Sequence, residues 1–270
     1  MPITINGNNV NVVIFNNSQV DAVTVNGNQV FPSGAQPSEF DITLTSADLE
    51  IALYYTQSSA NAVAVDWGDG SQTETSADTS VLGMSHMYVA AGDYTISMTC
   101  ASGETWSPGI AEAGDYIQMF GDDPAACTAV RMGDGMRLDV PKAFAANSAL
   151  AAVRFNGEVA SISNAAFNGC AFVSLVIPDN VTTIGPSAFS NNQSMVGVDI
   201  GGGITNIGNM AFALSTNTTL TIRATVPPTL GLQVFGSSLT AIYVPAASVD
   251  AYKTANRWSS KASIIQAIPA

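Results

Sequence analysis

Residues 166–189 read AFNGCAFVSLVIPDNVTTIGPSAF, a stretch that begins and ends on the same pair, Ala166-Phe167 and Ala188-Phe189. Ala-Phe pairs recur on either side of it at Ala143-Phe144 and Ala211-Phe212. Val234-Phe235 takes the next equivalent place, so successive Phe positions are spaced 23, 22, 23 and 23. A second thread of short apolar alternations keeps the same phase: Val130/Met132, Val153/Phe155, Leu175/Ile177, Val198/Ile200, Leu220/Ile222 and Ile242/Val244. A third runs through Ile162, Ile184-Gly185, Ile207-Gly208 and Leu230-Gly231. Three threads in one phase specify a solenoid, in which each unit buries its apolar side only against its neighbours.

Each turn has a physical reading. An alternation such as Leu175-Val176-Ile177 puts two side chains on one face of a short strand that pairs with the same strand of the next turn. The Phe supplies a large ring on the opposite wall, and the Ala before it leaves room for the ring to turn inward. Three residues after Phe144, Phe167 and Phe189 stand Asn147, Cys170 and Asn192, groups able to bond backbone inside the coil. Fragments such as AFNGCAFVSLVIPDNVTTIGPSAF resemble the BspA-type leucine-rich repeat, whose pattern reads AFxxCxxLxxVxIPxxVTxIGxxAF. The resemblance covers about residues 125–268 and includes the close LTAIYVPAASVDAYKTANRWSS, which looks like that family's last strand and capping helix, with Trp258 covering the last coil.

Composition bounds what surrounds this body. The chain has 270 residues, 47% of them hydrophobic and only 11% charged, where about 25% is usual for soluble domains. Length suggests two domains, and the surface must be built largely from Asn, Ser, Thr, Gly and Ala. A net charge of −13 repels nucleic acid phosphates and anionic lipid, so neither is expected as a partner, and with no apolar run of about 18 residues no membrane insertion is expected. Cys100, Cys127 and Cys170 have no CxxC spacing and His86 is the single His. They are therefore expected to be buried small residues, not zinc ligands or a disulfide framework. The start MPITINGNNV has no basic or apolar region of a secretory signal, and the expectation is a chain neither exported by that route nor anchored in a membrane.

Residues 1–31 carry a second repeat. Asn6-Gly7-Asn8-Asn9-Val10, Asn16-Asn17-Ser18-Gln19-Val20 and Asn26-Gly27-Asn28-Gln29-Val30 recur at a spacing of 10. Asn-Gly and Asn-Asn favour tight turns, so short hairpin strands are expected, too few to bury a core alone. The segment resembles the NGxxV-rich starts of phage structural and tail-associated proteins, which implies an anchor on other virion proteins. Residues 32–39, rich in Pro, Gly and Ser, read as a linker. Residues 40–100 alternate as β throughout (Phe40/Ile42/Leu44, Ile51/Leu53, Val63/Val65/Trp67, Tyr94/Ile96/Met98), which predicts a sandwich. Val63-Ala-Val-Asp-Trp-Gly-Asp-Gly-Ser71, then His86-Met-Tyr88, then Gly92-Asp-Tyr-Thr-Ile-Ser-Met98 resembles the PKD domain (about 38–100), although the Trp is displaced from its usual place in that signature. Trp67 is expected in the core, Asp66 and Asp69 on turn amides, Gly68 and Gly70 at unusual dihedrals, and His86 in a structural hydrogen bond. Residues 101–126 form a junction packed by Trp106, Tyr116 and Phe120, and the solenoid occupies 127–268.

The predicted fold is therefore mainly β: N-terminal β-hairpin repeats, an Ig-like (PKD) β-sandwich, and a short leucine-rich-repeat solenoid with a C-terminal capping helix. No GxSxG, HExxH or phosphate-cradling Gly loop is present, so no enzyme is expected. Two binding features remain. The row between the inward members of each strand, Arg131, Arg154, Val176, Asp199, Thr221 and Tyr243, points outward and is the natural ligand face. Acidic residues at the junction, Asp122, Asp123 and Asp134 with Asp115 and Asp139 nearby, form a candidate Ca²⁺ site. The function expected is a non-enzymatic virion structural protein, multicopy or homo-oligomeric, displayed outward and binding host surface glycan or protein weakly. The alternative is a bacterial cell-surface adhesin of BspA type.

Overall fold

The computed structural model describes residues 3–5, 8–15, 19–25, 28–29, 36–60, 62–76, 82–112, 115–120, 127–216 and 219–269. The fold is mainly β. At the N-terminus β1 (Ile3–Ile5), β2 (Asn8–Phe15), β3 (Gln19–Val25) and β4 (Asn28–Gln29) form an antiparallel meander in chain order, as the ten-residue repeat predicts. The Asn6-Gly7, Asn16-Asn17 and Asn26-Gly27 turns that would join them lie outside the described residues.

The next seven strands are β5 (Ser38–Leu44), β6 (Leu49–Gln57), β7 (Val63–Asp66), β8 (Glu74–Thr75), β9 (Leu82–Tyr88), β10 (Gly92–Cys100) and β11 (Trp106–Pro108). They make two antiparallel sheets, one containing β5, β10, β7 and β8 and the other β11, β6 and β9. The period-2 pattern of each strand puts Phe40, Ile42 and Leu44 with Ile96, Met98 and Cys100 into the space between the sheets, facing Ile51, Leu53 and Tyr55. Trp67 is fully buried there, and Tyr88 donates its hydroxyl to the Trp67 carbonyl at 2.7 Å. In the turn after β7, Asp66 accepts from Gly68 N–H at 2.9 Å and Asp69 from Ser71 N–H at 3.0 Å. Gly68 has φ +78°, and a Cβ there would stand 2.3 Å from the Thr95 carbonyl oxygen, so only glycine fits.

A short hairpin, β12 (Ile110–Glu112) and β13 (Asp115–Ile117), leads to β14 (Cys127–Arg131). β14 pairs antiparallel with β5 and parallel with β15 (Ala152–Arg154), so one six-stranded sheet, ordered β15-β14-β5-β10-β7-β8, runs from sandwich into solenoid. Beyond it two parallel ladders alternate along the chain. One is β16 (Ser161–Ile162), β18 (Thr183–Ile184), β20 (Asn206–Ile207) and β22 (Thr229–Leu230). The other is β17 (Ser174–Ile177), β19 (Gly197–Ile200), β21 (Thr219–Ile222), β23 (Ala241–Val244) and β24 (Ile265–Ala267). Before β24 come a single α-helix, α1 (Val249–Thr254), and a 3-10 turn, Ser259–Ile264.

The Phe thread becomes a stack. Ring centroids of Phe144, Phe167, Phe189 and Phe212 lie 5.4 Å apart in sequence with planes within 8°. Phe235 continues the column at 6.3 Å, and Trp258 closes it at 5.8 Å with its indole N–H donated to Pro228 O at 2.8 Å, as a cover for the last coil. At the other end Phe40 of β5 stacks on Phe144 at 6.3 Å. Flanking each Phe, two residues before and two after, the backbone enters the left-handed region: Lys142 and Ala146, Ala165 and Gly169, Ser187 and Asn191, Met210 and Leu214. Gln233 repeats the first of these places beside Phe235.

The expected inward bonds form in the middle coils. Asn192 Nδ2 donates to Phe167 O at 3.0 Å and Phe189 O at 2.9 Å, Cys170 Sγ to Phe144 O at 3.3 Å, and Ser215, in the next equivalent place, to Phe189 O at 2.9 Å. Asn147 differs. Its Oδ1 accepts from Ala149 and Leu150 N–H, but its buried Nδ2 has no partner. In the phase of the coil-to-coil bonds, Met119 N–H to Ala143 O takes the place of Phe144 N–H to Ala166 O, and the Met119 carbonyl is already bonded by Tyr54 N–H. The sandwich has displaced the coil that Asn147 would have bonded. Replacing Asn192 with Ala should therefore cost about 1–3 kcal/mol in urea unfolding, because the buried Phe167 carbonyl loses its donor while Phe189 O keeps Ser215. Asn147→Ala, which strips no carbonyl, should cost distinctly less.

Candidate binding surface

The outward row exists as a set of strand neighbours. Arg131 pairs in register with Arg154, and Val176, Asp199, Thr221, Tyr243 and Gln266 succeed one another across β17, β19, β21, β23 and β24. The side chains behind them, from Val130 and Leu175 to Ile242 and Val244, are buried. Parallel pairing at about 4.8 Å per strand carries each outward residue one step further along the face.

Chemically the row is divided. Arg131 Nε donates to Glu39 Oε2 at 2.6 Å, and its Nη1 and Nη2 donate to the two Asp41 oxygens at 2.7 and 2.6 Å. The hydrogen bond from Arg131 holds the Asp41 carboxyl below its usual value, and the same bonds raise the guanidinium. Asp199 is likewise taken, by Arg223 at 2.6 and 3.0 Å. Arg154 and Val176 are exposed, while Thr221 and Tyr243 are half-buried. Glu39, Asp41 and Arg223 escaped the sequence reading. Their signal was present in the Glu39/Asp41 alternation with Phe40 and Ile42, but the strand they face lies some 90 residues on.

Where the row meets the sandwich, Gln36, Glu39, Arg131, Asp134, Arg154 and Asn156 line a cleft of about 330 Å³. Its walls are fixed by internal bonds. Asp134 Oδ2 accepts from Gln36 N–H at 2.9 Å while Gln36 O accepts from Asp134 N–H at 2.8 Å, so the segment read as linker is tied down from residue 36. Asn156 donates to the Gly133 carbonyl and accepts from Glu158 and Val159 N–H. One oxygen of Asp134 is thus committed to backbone, and Asp122 and Asp123 lie outside the described residues. Among the described residues no three His, Cys, Asp or Glu side chains stand close enough together to hold a metal ion.

His86 and the three cysteines are held in packing contacts. His86 stacks on Trp67 at 5.1 Å and meets Asp69 Oδ2 at 2.7 Å. The three cysteines are free and buried; burial pushes the thiol of Cys100 up to about 11 and that of Cys170 to about 12, and raises Cys127 as well, so none is a ready thiolate.

Residues 140–254 match the family model of the BspA type leucine-rich repeat region, in six copies. The chain is similar to the crystal structure of the pneumococcal vaccine antigen PcpA, at 20% identity and a TM-score of 0.36, over 45% of this chain and 31% of that one. It is also similar to a leucine-rich repeat protein from Bacteroides ovatus, at 12% identity and a TM-score of 0.23, over 51% of this chain and 62% of that one. The chain thus spans under a third of the first and less than two thirds of the second. No curated protein matches the chain in sequence.

The Asp69 carboxyl is lowered from 3.8 to about 2, first by the Ser71 backbone N–H and then by the Ser71 and His86 side chains. A depressed carboxyl stabilises the folded state above its unfolded value and loses that contribution as pH falls toward its folded value. Asp69→Asn should therefore melt below the parent at pH 7, with the gap closing between about pH 4 and pH 2. A constant gap across that window would place the effect elsewhere in the turn.

Proposed function

We propose that this chain is a non-catalytic binding protein displayed at a surface, its sandwich and solenoid forming one rigid body held outward by residues 1–31. The observation that carries this is the division of labour in the coil. The Phe column, the Asn192–Cys170–Ser215 bonds and the buried Ile and Leu side chains are all spent on the inside, while the strand face leaves outside a row of mixed chemistry that includes Arg154, Val176, Thr221 and Tyr243. The single His is bonded within a turn and the thiols are buried, which supports a role without catalysis. Among the described residues Arg154, Thr221 and Tyr243 are the polar members of the outward row without an ion pair, and a weak ligand contact there would gain strength from many copies.

The display surface we favour is that of a virion, with residues 1–31 attached to other virion proteins. The separate antiparallel meander supports this, because a segment of about thirty residues buries too little surface to be stable alone and needs a host to pack on. A PKD-like reading of residues 40–100 suits the same role, and the Asp66–Ser71 turn, the His86–Asp69 contact and the buried Trp67 support it. A bacterial cell-surface adhesin is the second reading, and the BspA type match over residues 140–254 favours it. Quantitative mass spectrometry of purified particles separates the two. A fixed copy number, lost on deleting residues 1–31, supports the virion; a processed precursor in the cell-wall fraction supports the adhesin and sinks the virion assignment.

A further inference from the structure

The net charge of −13 is an average over two unlike halves. Residues 1–130 hold fifteen of the 21 acids and no Lys or Arg, whereas all eight bases and six acids lie in 131–270. Toward the C-terminal end the sign reverses: from residue 200 onward the sole acid is Asp250, against Arg223, Lys253, Arg257 and Lys261. With a screening length of about 8 Å at physiological salt, a partner at that end meets the local charge and not the distant acidic half.

Two adjoining hollows open there, sharing Gln233 and Phe235. The first, about 590 Å³, is walled by Met210, Leu214 and Thr216; the second, about 380 Å³, by Leu232, Arg257 and Lys261. Their floor is apolar and open, with Leu214 70% exposed, Leu232 60% and Met210 38%. Met210 and Leu214 occupy the two left-handed places of their coil (φ 57° each), where the other coils carry Lys, Ala, Ser, Asn, Gln or Gly. A long apolar side chain held out to water in a strained conformation costs stability twice, once in the backbone and once in hydration, and such costs collect at functional surfaces. The basic rim is preset: Arg257 Nη1 is bonded to Leu230 O at 2.7 Å, and among the described residues Lys261 has no ion pair.

We infer that this groove on the Phe wall, at the end of the solenoid remote from the sandwich, docks an acidic polypeptide segment bearing apolar side chains. Carboxylates meet Arg257 and Lys261 while the apolar groups cover Leu214 and Leu232. The site is separate from the strand face and stands whether the chain sits on a virion or a cell. The test uses the full chain and a fluorescent poly(Glu,Tyr) copolymer, with poly-glutamate and hyaluronate as comparators, followed by anisotropy. The copolymer should bind and weaken as salt rises from about 0.15 to about 0.5 M. Lys261→Glu and Leu232→Ser should each weaken it by about tenfold with unchanged melting temperature, and Arg154→Ala should leave it unaltered. Leu214→Ser gives the same information should either variant unfold. Absence of copolymer binding overturns the inference, as does insensitivity to Lys261→Glu. Equal binding of poly-glutamate would show the apolar floor idle, and preferential binding of hyaluronate would make the partner a glycan; either result also overturns it.

Discussion

Everything beyond residue 131 depends on one strand pairing, β14 against β5. A solenoid has two raw ends, each presenting unpaired backbone and an uncovered apolar core, and it is stable only if both are closed. Here the sandwich closes the first end by lending it an edge strand. The antiparallel β5–β14 ladder satisfies the backbone, Phe40 gives the Phe column its first ring, and Arg131 with Glu39 and Asp41 binds the outer surface of the seam. The far end is closed by a different device, Trp258 and Tyr252 folded over the last coil with Arg257 bonded to Leu230 O.

That seam explains several local departures from the repeat. Asn147 is an Asn with half its bonding unused because the turn it would have bonded has been replaced by Met119 and Tyr54. Gly133 is fixed by the close approach of Gln36 and Pro37, whose backbone would stand 2.1–2.4 Å from a Cβ, so these two residues ahead of β5 are clamped against the solenoid's first loop. The ion pairs of Arg131 are about one-third exposed and contribute modestly to stability, of the order of 1 kcal/mol. Their larger effect is on register, since a bidentate Arg–carboxylate contact admits one strand alignment.

The chemistry left outside is sparse, and its distribution matters more than its total. An acidic first half joined to a solenoid of slightly positive charge gives a molecule whose two halves carry opposite sign. The outward row is partly neutralised by its own pairs, Arg131 with Glu39 and Asp41 and Arg223 with Asp199, so most of its charges face inward on one another.

Sequence alone determined the coil, because a 22- or 23-residue period places each Phe, Ile and Asn against its own copy, and identical neighbours need no long-range information. It also determined the turn from Asp66 to Ser71, whose bonds span two residues. Tertiary structure alone decided that β5 adopts β14, that Asp41 belongs to Arg131 across 90 residues, and that Met210 and Leu214 take left-handed backbone. Those outcomes turn on which edge meets which and on what the facing coil imposes on its neighbour. Non-glycine residues at positive φ carry no local mark, and a strand edge bears no sign of the partner that will cover it.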